Sequence, residues 1–227
     1  MGQNAGSFVH VYARSSRLTA FALILALVLL GAIGTFSQIE AATPPLIPKN
    51  ASEPMYPNLP GVVDTYPTVV AYVDGHPIWG KLLAIRVAAL EQSVDPTVDK
   101  SHPERDALHD IIRDQILTEH AQDYGISVSY DEARAEAQRE KALVLSNPGA
   151  RTNTALLAKQ LGVSVGDYFD QPTVIAAYRD AMTLSEMQND ILNKTPTARS
   201  DDAATEAALD TFADGIHAKV QILISVP

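Results

Sequence analysis

A chain of 227 residues, 46% of them apolar, can bury a good core, and its length suits one folded domain with appendages. It contains no cysteine, which excludes disulfides, thiol catalysis, Cys-ligated zinc and lipid attachment through an N-terminal cysteine. The formal charge is -10; Arg14 and Arg17 precede Ser37 and every acidic residue follows it, so the remainder carries 15 basic against 27 acidic residues. That balance argues against nucleic acid, whose binding rests on neutralising phosphates.

Residues 1–17 read as a short cytoplasmic segment. Residues 18–36, LTAFALILALVLLGAIGTF from Leu18 to Phe36, hold no charged side chain over about 19 positions, enough to span a hydrocarbon core of roughly 30 Å. Basic residues before this segment and acidic ones after it predict a single-pass anchor with the N-terminus in the cytoplasm and the rest outside the cell membrane. A cleaved signal sequence would have a shorter apolar core and a small-x-small site, which Ile39-Glu40-Ala41-Ala42 supplies poorly. Residues 37–68 form a proline-rich stalk, with Pro44, Pro45, Pro48, Pro54, Pro57, Pro60 and Pro67 excluding a helix or a central strand.

The folded domain is expected over 69–227. Val69-Val70-Ala71-Tyr72-Val73 reads as a strand, Asp74-Gly75 as a tight turn, and His76-Pro77-Ile78 as a short return. Leu82, Leu83, Val87 and Leu90 make an apolar stripe over 81–92. Over 104–124, Leu108, Ile111, Ile112, Ile116, Leu117 and Ala121 recur at helical spacing, and Gly125 suits the helix end. Ser129-Tyr130-Asp131-Glu132 is a capping box that opens a helix to about Ser146. A short helix over 154–161 ends at Gly162, and Ser164 begins another cap.

A longer helix over 173–193 carries Ile175, Tyr178, Met182, Leu184, Met187 and Ile191. Asp201 or Asp202 caps a last helix with Leu209, Phe212 and Ile216 on one stripe, and 219–226 nearly alternates as a half-buried strand. A lone strand is unstable, so the two ends of the domain are expected to meet in one small sheet with the helices between them.

This order of parts resembles the N-terminal chaperone domain of the SurA and PrsA family of extracytoplasmic foldases. The resemblance is carried by VVAYVDGHPI with a helix after it, ALHDIIRDQILTEHAQDYGISVSYDEARAEA, and LAKQLGVSVGDYF with an amphipathic helix behind it. Its most specific piece runs from Tyr124 through Gly125-Ile126 and Val128-Ser129 to Glu132, and it covers roughly seven tenths of the 227 residues.

The resemblance implies a mainly α fold: a SurA-N-like helical cradle with a small antiparallel sheet formed by the N- and C-terminal ends of the domain. It also implies an ATP-independent holdase or foldase that binds unfolded secreted polypeptides, with neither nucleotide nor cofactor. Two departures stand out. The place where the family commonly carries a parvulin-type prolyl isomerase domain holds only 194–200 here, so the resemblance implies a peptidyl-prolyl isomerase in name only, and no catalytic residue. The family's lipid-bearing cysteine is also missing, which leaves the helix from Leu18 to Phe36 as the anchor.

Asp106, His109, Asp110 and Asp114 share a helical face at a spacing that could hold a cation, but lacking a second histidine they read as a solvated face. No G-x-S-x-G, P-loop, G-x-G-x-x-G or H-E-x-x-H motif occurs. Trp79, Tyr168, Phe169, Tyr178, Met182 and Met187 are the candidates for touching a client, since methionine adapts its shape and aromatics offer area. The same six positions also suit a core. A non-catalytic module that holds one folded partner at the membrane is the alternative reading.

Overall fold

The computed structural model describes residues 62, 65–93, 100–199 and 201–225. The expected cytoplasmic segment over 1–17, the expected anchor over 18–36 and nearly all of the expected stalk lie outside them, and none of the described helices is long and apolar enough to cross a membrane.

Strand β1 (Val69–Val73) turns on Asp74-Gly75 into β2 (His76–Trp79). Both turn residues have positive φ, 47° and 87°, the combination that an Asp-Gly two-residue hairpin turn uses. Strand β3 (Val220–Ile222) pairs with the other edge of β1, giving an antiparallel sheet in the order β2-β1-β3. The first and last parts of the domain therefore meet, as the alternating pattern predicts. The closing strand is shorter than the 219–226 alternation suggests, and none of its three residues is buried.

Between the strands run α1 (Gly80–Gln92), α2 (Pro103–His120), a 3-10 turn (Ala121–Tyr124), α3 (Tyr130–Ser146), α4 (Pro148–Gln160), the single turn α5 (Val165–Tyr168), α6 (Pro172–Lys194), a second 3-10 turn (Pro196–Arg199) and α7 (Asp202–Asp214). The capping box is present: Ser129 Oγ accepts from the Glu132 amide at 3.2 Å and the Glu132 carboxylate accepts from the Ser129 amide at 2.8 Å. Helix α4 starts six residues before the predicted 154, because Asn147 caps it and Pro148 occupies the first position, where a missing N–H costs nothing.

The buried apolar residues fall into a main core and three smaller clusters. The main core joins Val70, Ala71, Val73 and Ile78 of the sheet to Leu83 of α1, Leu108 and Leu117 of α2, Leu184, Met187 and Ile191 of α6, and Leu209 of α7. The second joins Val144 of α3, Leu157 and Ala158 of α4, Tyr168 and Phe169 at α5, and Val174 of α6. Helix α6 has 23 residues, about 34 Å at 1.5 Å per residue, and it serves both. Its first half packs Ile175 against Val128, Ala133 and Ala137, and its second half enters the main core.

The expected solvated face of α2 holds at His109 and in part at Asp106, whereas Asp110 and Asp114 join an ion-pair network that α1 and α7 cover. Arg86 Nη2 donates to Asp114 Oδ2 at 3.1 Å. Arg113, only 6% exposed, pairs with Asp110 at 3.2 Å, with Asp210 at 3.1 Å and with Glu206. A charged face can be buried when cations from other helices compensate it.

Candidate functional site

The helical hairpin of α3 and α4, closed by α6, presents three exposed leucines. Leu143, Val144 and Leu145 are consecutive, and at about 100° per residue no single helix face can bury all three. Val144 goes inward at 4% exposure, which leaves Leu143 at 62% and Leu145 at 42% in solvent. Leu156 of α4 is also exposed, beside the buried Leu157. The tip is held by its caps: Asn147 Oδ1 accepts from the Gly149 and Ala150 amides at 3.0 and 3.2 Å.

At the base of the hairpin, Tyr178 and Met182 of α6 lie half-buried against the α3 side, one turn apart. Tyr178 touches both the Val144 cluster and the Ala133 cluster. Burial first, and then the nearby Glu140, Tyr168 and Glu136, push its hydroxyl far above the ordinary tyrosine range, so it stays neutral. Burial, with the like charge of Glu136, also raises the Glu140 carboxyl. Tyr178 and Met182 thus form an apolar patch with Glu136 and Glu140 at its margin.

The six candidate residues separate in space. Trp79 is buried with Val69, Tyr72 and Ile85 beside the sheet, and Met187 is fully enclosed in the main core. Tyr168 and Phe169 pack edge to face, centroids 5.2 Å apart, inside the hairpin cluster. Only Tyr178 and Met182 reach a surface. The sequence reading passed over Leu143, Leu145 and Leu156, although the Leu-Val-Leu triplet was a usable signal.

A smaller apolar strip is the closing strand. Val220, Ile222 and Leu223 are each roughly half exposed, on an edge that pairs only with β1. Among the described residues, no group of three or more His, Asp or Glu side chains is arranged to hold a metal ion.

No family model matches the chain, and no curated protein matches it.

Proposed function

We propose that the chain is a membrane-anchored, extracytoplasmic, ATP-independent holdase of the SurA type, which keeps unfolded secreted polypeptides from aggregating through weak apolar contacts and no covalent step. The observation that carries this reading is the exposed Leu143, Leu145 and Leu156 on a hairpin whose own core is already complete. These leucines contribute nothing evident to folding, and exposed apolar surface that the fold does not need suits a partner. Tyr178 and Met182 at the base add an adaptable apolar floor, with Glu136 and Glu140 at its margin.

The test is light scattering from a chemically unfolded, aggregation-prone protein, titrated with the fragment 43–227 without nucleotide. Suppression at near-stoichiometric ratios is expected. A folded fragment that leaves aggregation unchanged would sink the reading. Acceleration of X-Pro isomerisation is not expected, and its appearance would overturn the non-catalytic part.

The exposed apolar edge of β3 favours a second reading, a module that holds one folded partner at the membrane by extending the sheet. It predicts saturable one-to-one binding and indifference to denatured clients.

A further inference from the structure

Two histidines stand where the hairpin, the end of α2 and the closing strand meet. Among the described residues, Asp74 is the one non-glycine with positive φ. Its amide donates to the Lys219 carbonyl at 2.9 Å and its Oδ1 accepts from the Lys219 amide at 2.8 Å, so it forms the first rung between the hairpin and β3. Its Oδ2 lies 3.0 Å from His120 Nε2, and His120 Nδ1 lies 3.0 Å from Asp123 Oδ2. An ionised carboxylate only accepts hydrogen bonds, and a neutral imidazole has a single N–H. Both contacts are therefore hydrogen bonds only when both ring nitrogens carry protons. Beside them, His76 Nδ1 of β2 lies 3.0 Å from Glu119 Oε1, which also accepts from Gln115.

We propose that His120, with His76 beside it, is a proton-operated clasp that ties the β1–β2 turn to the end of α2 and, through Asp74, holds the closing strand on the sheet. With His120 charged, both carboxylates are attracted to it. With His120 neutral, one ring nitrogen turns a lone pair toward a carboxylate, and the Lys219 end of β3 loosens. The charged and titratable groups at this junction are Asp74 and His76 from the hairpin, Asp123 from the 3-10 turn, Glu119 from α2 and Lys219 from the approach to β3. The inference does not depend on the holdase reading.

The direction of the switch follows from the partners. The hydrogen bond to Asp74 raises His120 above the ordinary 6.5 against opposing burial, and the Glu119 contact does the same for His76. Burial works to raise Asp74, and the Lys219 amide and His120 outweigh it to hold the carboxyl below its ordinary 3.8. The histidine contribution is thus complete below the ordinary histidine value and is lost as pH rises through the raised one. The Asp74 contribution is complete above the ordinary carboxylate value and is lost as pH falls through the lowered one. The clasp is closed between the lowered carboxylate value and the raised histidine values and opens as pH rises through the latter.

The experiment uses the full chain and two readouts, ring-proton NMR titration of the histidines and amide hydrogen exchange over 219–223, corrected for the intrinsic pH dependence of exchange. His120 is expected to titrate above the ordinary histidine value, and protection over 219–223 to fall several-fold from mildly acidic to alkaline pH. His120→Gln should flatten that profile, and His217→Gln, outside the cluster, should leave it as in the wild type. Asp74→Asn suits the positive φ and still accepts from the Lys219 amide. A merely structural Asp74 would leave this variant like the wild type; the clasp requires it to lower the His120 titration and flatten the profile. An ordinary or lowered His120 titration in the wild type, a flat wild-type profile, or a fall that persists in His120→Gln overturns the clasp. Should His120→Gln fail to fold, the wild-type ring titration still decides.

Discussion

Arg113 shows how much of this domain rests on charges that point inward. Its guanidinium is desolvated, which works against its charge, and the carboxylates of Asp114, Asp110 and Glu206 outweigh that and hold its pKa above the ordinary value. Removing the cation while leaving Asp110 and Asp114 in place strands buried negative charge. Arg113→Met is therefore expected to cost about 3 kcal/mol in urea unfolding, and Arg113→Lys to fall short of full recovery because a point charge cannot reach the separate carboxylates at once. Glu206, half exposed, should cost less than about 1 kcal/mol as Glu206→Gln. Asp110 also sets an acid limb. Burial alone would raise it, but His109 and Arg113 hold it below its ordinary 3.8, so its contribution is present above that value and is lost as pH falls through the lowered one. Asp110→Asn should shrink the loss of stability in urea titrations run below about pH 4. Only Asp110, three residues before Arg113, was legible in the sequence: the partners of Arg113 on α7 lie 93 and 97 residues away, and helical periodicity reports only which residues share a face.

Among the elements, local signals were read well and non-local ones poorly. The capping box, the Asp-Gly turn and Gly125 at φ 77° follow from short-range chemistry, and each stands where the residue pattern puts it. The early start of α4 was equally readable in Asn147-Pro148; Asn147→Ala should cost about 1 kcal/mol, measured by thermal unfolding, because two amides lose their acceptor. The start of α1 depends on something the sequence does not display. The Gly80 amide bonds to the Thr68 carbonyl at 3.0 Å, and a Cβ there would run into the Pro67 backbone and the Tyr66 side chain. Gly80→Ala is expected to cost about 1 to 3 kcal/mol by the same measurement, since backbone rather than a movable side chain blocks the methyl. Tyr66 extends the folded unit slightly before Val69: it packs on the main core, and its hydroxyl donates to Glu104 at 2.7 Å.

At the scale of the whole molecule, the exposed leucines let the proposed holdase activity be tested apart from folding. Leu143→Asp together with Leu156→Asp should weaken aggregation suppression severalfold and leave the unfolding midpoint nearly unchanged, whereas Val144→Asp, one residue along, should unfold the hairpin cluster. The same light-scattering titration, with thermal unfolding beside it, checks both halves. Mainly helical character and the meeting of the two ends were legible from periodicity and strand count. Which apolar stripe stays outside was not, because amphipathic helices look alike until their neighbours are placed, and so Trp79 and Met187 were grouped with Tyr178 and Met182.

The rung between Asp74 and Lys219 joins residues 145 positions apart. A chain emerging from a ribosome N-terminus first must expose the outer edge of Val69–Val73 until Val220–Ile222 follow, and a loop of that length slows the closing step. A nascent or C-terminally clipped molecule thus carries an apolar strand with open hydrogen-bonding groups, the kind of edge that captures other extended chains. During synthesis that edge of the sheet stays open until Val220–Ile222 dock on it.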